Sequence, residues 1–185
     1  MIGPHRIEGY AIVSANGMIA DHSGAMPSAI KNDADQRFLQ TAMDGAAVIV
    51  HGRHSHEGGS RADLRKRIVL TRQVASLAPG TAHPRTVLWN PAGATFEQAV
   101  AASSVAAGPI AILGGTEAFG LFLPHYDAFH LSRAERVTIP HGRPVFPDVG
   151  ANATTEAILE RQGLHPGPRR KIDAADGITL TTWER

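Results

Sequence analysis

No cysteine occurs among the 185 residues. That absence excludes disulfides, thiolate catalysis, cysteine-ligated zinc and iron–sulfur clusters. Charge of either sign is not in excess: 18 basic residues face 17 acidic ones, for a formal net charge of +1. Such a balance leaves no electrostatic footprint for nucleic acid. The one locally basic run, "RADLRKR" (61–67), is interrupted by Asp63 and reads as a solvated loop or a small anion site. No apolar run approaches the ~20 residues that a membrane span needs. The opening "MIGPHRIEGYAIV" lacks the long apolar core of a signal peptide. The expectation is a soluble cytoplasmic protein. Internal repeats and low-complexity linkers are missing too. The length fits one domain, 1–185, with a sizeable core, and 43% hydrophobic residues support a folded globule.

What is present alternates. "YAIVSA" (10–15) is a short apolar, β-rich run, and Asn16-Gly17 is a turn signal. "MIADHSGAMPSAIK" (18–31) is too irregular for an element and reads as a long ordered loop. Asn32 caps a helix with Asp33 and Asp35 in its first turn, where acids suit the dipole. Phe38, Leu39, Ala42 and Met43 give it an apolar face, and Gly45 ends it. "AAVIV" (46–50) reads as a strand buried on both faces, with a short helical turn from Gly52. "RIVLTR" (67–72) and "TVLWN" (86–90) are further strands. Thr95 and Gln98 form a capping box for a helix over 96–107. "PIAILGG" (109–115) is a buried strand ending in two glycines, followed by a short helix, 116–123, stopped by Pro124. "AFHLSRAERV" (128–137) is a strand, and the tail from Gly163 reads as two strands around a polar loop. Buried strands alternating with helices imply an α/β fold. Its central sheet is mainly parallel, with helices on both faces and a C-terminal antiparallel hairpin at one edge.

Ligands of such sheets bind at the carboxyl ends of strands. The features expected there are Gly52-Arg53, Thr71-Arg72 and Gly114-Gly115. In "LGGTEAFG" (113–120) two glycines let the backbone approach a ligand, and helix-start N–H groups can hold a phosphate. A tight strand-to-helix turn would explain the same residues equally well. In "HGRHSHE" (51–57), Arg53 and Ser55 suit a phosphate. The histidines His51, His54 and His56 are not spaced to converge, so the phosphate reading and ordinary surface histidines both rank above a metal site. Thr71 and Arg72 could meet a ribose 2′-phosphate, although taken alone an ordinary surface arginine accounts for Arg72 better. Asp33 and Asp35 point roughly 200° apart on a helix, so at most one of them faces a cleft. Simple capping chemistry accounts for both without a function.

Taken in order, these pieces resemble the dihydrofolate reductase superfamily, including the reductase domain of the bifunctional riboflavin-biosynthesis deaminase-reductase. "AIVSANGMIA" resembles its first strand and turn, and "GAMP" its loop over the nicotinamide. "VIVHGRHSHE", "RIVLTR" and "AILGGTEAFGLFLP" resemble its successive strand ends. "YDAFHLSRAERV", "VFPDV" and "GITLTTWER" resemble its closing segments. The resemblance covers nearly the whole chain. It implies a three-layer fold, NADPH as cofactor and a small heterocyclic substrate. Gly52, Arg53, His54 and Ser55 would hold phosphates from one side. Gly114, Gly115, Thr116, Glu117, Ala118 and Phe119 would hold the pyrophosphate and nicotinamide side. Leu70, Thr71 and Arg72 would lie by the 2′-phosphate, and Ile12 and Ile19 would line the nicotinamide pocket.

The resemblance further implies a helix-start carboxylate gripping the heterocycle. Counted from "AMP" it is Asp33; counted back from Phe38 the match is offset by one and Asp35 stays open. Ser132 would support the carboxylate, Phe38 and Ser28 would border the substrate, and Arg65 would take a substrate carboxylate tail. The implied activity is NADPH-dependent reduction of a reduced-pterin C=N bond. The alternatives are a riboflavin-pathway pyrimidine reductase and a nucleotide-binding protein that has lost turnover. Departures from the pattern are Ser28 in place of Trp, Glu117 beside the phosphates, and "GRPV" before the Phe-Pro signal. A homodimer is one expectation for the assembly, by likeness to the riboflavin-type group.

Overall fold

A computed structural model of the chain describes residues 3–55, 61–81, 83, 85–150 and 153–185. Its frame is a ten-stranded sheet. The parallel core of that sheet comprises β1 (Ile7–Ser14), β3 (Val48–Gly52), β4 (Arg67–Leu70), β6 (Thr86–Trp89), β7 (Ile110–Ile112) and β8 (Ala128–Ala134). In space these run β8-β1-β7-β3-β4-β6. Val48, Ile49, Val50, Ile110, Ala111 and Ile112 are all buried, as apolar strands covered on both faces must be. β2 (Met18–Ala20) and β9 (Arg143–Pro144) form a small separate sheet. β5 (Leu77–Pro79) closes one edge of the main sheet antiparallel to β6. At the other edge, β12 (Ile178–Glu184) runs antiparallel to β8 and carries β10 (His165–Pro166) and β11 (Arg170–Asp173). The expected mainly parallel sheet with a C-terminal antiparallel hairpin is therefore present.

Helix α1 spans Asp33–Gly45 and starts where the sequence says it should. The Asn32 side chain accepts from the Ala34 and Asp35 amides at 2.9 and 3.2 Å, so two of the first free N–H groups are satisfied. Met43, Leu39 and Tyr10 pack with Ile49 and Ala111 beneath it. The capping box of α2 (Phe96–Ala102) is also present, through Thr95 Oγ1 and Gln98 Oε1. That helix stops at 102 rather than 107. Ser103 Oγ donates to the Val100 carbonyl at 2.7 Å, and Ser104 adopts φ +52°, a left-handed turn that ends the helix. α3 covers Thr116–Leu121. α4 (Thr155–Arg161) has no counterpart in the sequence reading, although Thr154 caps it and Gly163 at φ +79° follows it.

Three further readings are corrected. Residues 18–31 hold β2 and a 3-10 turn, Ser28–Ile30, where an irregular loop was expected. β8 ends at Ala134, three residues short of 137, because Val137 N turns back onto the Ala134 carbonyl. The basic run 61–67 is not a solvated loop: Arg65 and Arg67 are buried, and Arg67 Nη2 donates to the Ala62 carbonyl at 2.7 Å.

Close approach of backbone to ring fixes one glycine in the core. A Cβ on Gly9 would lie 2.3 Å from Phe129 Cδ2, so the Phe129 ring occupies the space beside β1 that a side chain would need. Phe129 joins Phe119, Tyr126 and Phe146 in one aromatic cluster at centroid separations of 5.0–5.6 Å from it.

Candidate active-site cleft

The carboxyl ends of β1, β3, β4, β7 and β8 share one rim because these strands are parallel. In the middle of that rim Gly52 N donates to the Gly114 carbonyl at 2.8 Å, so the two glycine segments adjoin. Gly114 has φ +113°, and a Cβ there would meet the Phe119 ring at 2.8 Å. The peptide joining it to Gly115 is cis. A Cβ on Gly115 would meet nothing within 4 Å, and one on Gly52 would lie 3.8 Å from both Gly114 O and Gly115 N. The rim is thus a cradle lined by backbone and left open at Gly52 and Gly115, while Gly114 is packed against the Phe119 ring. No side chain caps α3 at Gly115.

Around the cradle, Arg53 and His54 are exposed and Ser55 is half-buried, with Ser55 N turning back onto the Gly52 carbonyl at 3.0 Å. Thr71 is buried; its Oγ1 accepts from Gln73 N, which turns the chain at the end of β4 and leaves Arg72 exposed. Leu70 packs against the core. Thr116 donates its hydroxyl to the Pro144 carbonyl, tying α3 to β9. Ala118 and Phe119 face inward, and Glu117 stays at the surface. Ile12 is buried at the end of β1, and Ile19 is half-buried on β2.

On the β1 and β8 side of the same rim lies a carboxyl. Ser132 lies on β8 opposite Ile12 of β1. Asp35, half-buried in the first turn of α1, is hydrogen-bonded to the Ser132 side chain. Burial pushes the Asp35 carboxyl above its ordinary value, and the Ser132 bond partly opposes that rise. One turn on, Phe38 meets the His130 ring edge-on at 5.5 Å, and His130 stacks on Tyr10 at 4.6 Å. Burial holds His130 below its ordinary value.

Asp33 is not brought to this pair. It is exposed at the first helical position, because the Asn32 cap sets the helix phase so that Asp35 turns inward. Arg65 is not directed at the cleft mouth either. Its Nε and Nη2 bond Asp44 Oδ1 at 3.2 and 2.8 Å, its Nη2 bonds Gln40 Oε1 at 2.7 Å, and its side chain is 6% exposed. The resemblance reserves this guanidinium for a substrate carboxylate, and α1 supplies one of its own. Ser28 is exposed in its 3-10 turn.

Two features were missed. Arg133 is buried; its Nη1 donates to the Ser14 and Ala15 carbonyls at 3.2 and 2.9 Å, and its Nη2 pairs with Glu156 of α4. It fastens the end of β1 just where the strand enters the cleft. An arginine inside the apolar run "FHLSRA" was the readable signal. The loop 21–27 is ordered around Asp21, whose carboxylate accepts from Ser23 N, Ser23 Oγ and Ala25 N at 2.6–3.1 Å. Bonds from Ser23 and from backbone amides hold this carboxyl below its ordinary value.

Among the described residues no group of three or more His, Asp or Glu side chains is placed to hold a metal ion. His56 and Glu57 lie outside the described residues. No helix among the described residues is long and apolar enough to cross a membrane.

The arrangement of strands and helices recurs in solved structures. A dihydrofolate reductase from Enterococcus faecalis, complexed with NADP(H) and RAB-propyl, superposes with a TM-score of 0.64 at 16% identity, over 97% of this chain and 96% of that one. A riboflavin biosynthesis protein from Shewanella sp. PV-4 gives 0.63 at 17%, over 97% and 98%. A diaminohydroxyphosphoribosylaminopyrimidine deaminase/5-amino-6-(5-phosphoribosylamino)uracil reductase from Thermotoga maritima gives 0.62 at 15%, over 97% of this chain and 56% of that longer one. The chain has the dihydrofolate-reductase-like fold, shared by folate and riboflavin-pathway enzymes. No family model matches the sequence, and no curated protein matches it.

Proposed function

We propose that the chain is an NADPH-dependent reductase that acts on a C=N bond of a small reduced-pterin-like heterocycle. The observation that carries this reading is the Asp35–Ser132 pair beside the end of β1, on the same rim as the glycine cradle left open at Gly52 and Gly115. The residues fit a dinucleotide. Gly52 and Gly115 are half-buried and carry no side chain where a pyrophosphate needs close approach, and Arg53 and Arg72 stand at the surface after β3 and β4. The Enterococcus structure holds NADP(H) on the same fold, which supports the choice of cofactor.

When bound, NADPH supplies the hydride. The protein's part is to orient the heterocycle and to favour protonation of its ring nitrogen, whose proton comes from solvent. Ionised Asp35 accepts from the paired N–H groups of the heterocycle's amidine-like edge and favours the protonated ring nitrogen. Ser132 donates to the carboxylate and fixes its orientation. Ile12 and Ile19 present apolar surface to the ring and keep water from it. Arg133 holds the carbonyls at the end of β1 in place. An acid–base residue of this kind contributes on the order of 10²–10⁴-fold.

A second reading is favoured by Arg65. Because Asp44 and Gln40 occupy it, the cleft offers no buried cation to a carboxylate tail at that position. A substrate without such a tail suits the site better than dihydrofolate, and the riboflavin-pathway pyrimidine is one. The test mixes the protein with NADPH and follows nicotinamide absorbance with dihydrofolate, dihydrobiopterin and 5-amino-6-(5-phosphoribosylamino)uracil in turn. Turnover on a pterin that Asp35→Asn abolishes, with cofactor affinity spared, supports the lead reading. Turnover confined to the pyrimidine supports the second. NADPH binding without turnover on any of the three marks a nucleotide-binding protein, and no NADPH binding removes both reductase readings.

A further inference from the structure

Arg72 and Glu117 meet across the cradle. Arg72 follows β4 and Glu117 lies just after β7, and β3 separates these two strands in the sheet. The pair therefore spans the end of β3 at Gly52. Arg72 Nη2 lies 3.2 Å from Glu117 Oε2, and the side chains are 84% and 83% exposed. Neither head is fixed by burial, so the bond opens at little cost.

The two heads have opposite preferences. A guanidinium offers a planar fork of donors that suits a phosphate. A carboxylate repels a phosphate, yet accepts a hydrogen bond from a ribose hydroxyl. NADPH and NADH differ only in carrying a phosphate or a hydroxyl at the adenosine ribose 2′ position. The ion pair thus contains one group for each cofactor, and each group occupies the other while the pair is closed. Glu117, which looked misplaced beside phosphates, gains a role from this geometry.

We propose that Arg72 and Glu117 are the cofactor-discriminating pair of this site, in which Arg72 receives the 2′-phosphate of NADPH and Glu117 competes for that guanidinium. This rests on the reading of the cleft as a nicotinamide dinucleotide site. Glu117 lowers the preference for NADPH, because the phosphate must first displace the carboxylate and then lie near its charge.

Calorimetric titration of NADPH and of NADH into the wild-type chain, Glu117→Gln and Arg72→Gln tests the idea without turnover. Glu117→Gln is expected to tighten NADPH about fivefold, the upper end for an exposed pair, and to leave NADH unchanged or weaker. The gain shrinks at high salt, since the competing charges are exposed. Arg72→Gln is expected to weaken NADPH roughly ten- to a hundred-fold and to change NADH by no more than about twofold. Both variants alter only exposed side chains, so folding is retained. Equal effects of either variant on the two cofactors, or no effect of Glu117→Gln on NADPH, would overturn the pair while leaving the cleft reading intact. Failure of the wild-type chain to bind either dinucleotide would overturn the cleft reading and this proposal with it.

Discussion

Replacing Ser132 by alanine should move the acid–base behaviour of Asp35 in a direction that the structure fixes. Two influences act on that carboxyl: burial raises it, and the Ser132 hydrogen bond lowers it. Removing the hydroxyl leaves burial unopposed, so Asp35 should hold its proton to higher pH in Ser132→Ala. A hydrogen bond to an ionised group is worth roughly 1.5–3 kcal/mol, and the half-buried position of Asp35 argues for the lower end. About 1.4 kcal/mol corresponds to a tenfold change in the ratio of protonated to ionised carboxyl at a given pH. Two assays read the change. Titration of the Asp35 carboxyl carbon by NMR in the free protein needs no substrate. The pH profile of kcat/KM reports the same group in turnover, where the acid limb should move upward in pH because ionised Asp35 is the binding form. A midpoint that stays put or moves downward in the alanine variant would refute the coupling of these two side chains. Ser132 is 1% exposed, so the unfolding midpoint must be measured alongside to separate a packing defect from the charge effect.

Asp35→Asn should stabilise the fold while it removes function. A carboxyl raised by burial binds its proton more tightly folded than unfolded, so its charge penalises the folded state above the unfolded value, near 3.9. The gain is therefore expected at neutral pH and absent below that value, with roughly 2–4 °C in melting temperature for each kcal/mol recovered; a variant that melts lower at neutral pH would contradict it. Asp44→Ala should cost about 1–3 kcal/mol by denaturant unfolding, because it leaves the buried Arg65 guanidinium short of its carboxylate while Gln40 remains. An unchanged midpoint would show that the pair is not formed in solution. Gly9→Val should destabilise by at least about 1–3 kcal/mol, since its Cβ falls 2.3 Å from the Phe129 ring. Full retention of stability would mean that the ring does not occupy the space beside β1 as described.

The buried strands and the helix starts were legible because apolar runs and capping residues are local signals, although β3 runs on to Gly52 and β8 stops at Ala134. Asn32, Thr95, Gly52 and Gly114-Gly115 each stand where their chemistry pointed. The choice between Asp33 and Asp35 was not legible. Both are acids in one helical turn, and only the phase set by the Asn32 cap decides which meets Ser132, about a hundred residues away in the chain. Arg65 shows the same limit: the basic run read as a solvated loop or anion site and the resemblance offered a substrate-binding arginine, but neither showed that Asp44 of α1 lies within reach. α4 was passed over even though Thr154 and Gly163 frame it, because its apolar face spans only two turns. β5 holds three residues, one of them a proline, and it becomes a strand only through its pairing with β6. Arg133 required tertiary context as well, since a buried arginine makes sense only once Glu156 and the end of β1 surround it.

The central claim, that the glycine rim is a dinucleotide cradle, is tested most directly by calorimetric titration of NADPH into the wild-type chain and into Gly115→Leu. The added side chain enters space that the structure leaves open, so the unfolding midpoint should be kept. The expected result is saturable binding of about one NADPH per chain in the wild type and its loss in the variant. Absence of saturable binding in the wild type, or equal binding in a folded Gly115→Leu, would contradict the claim.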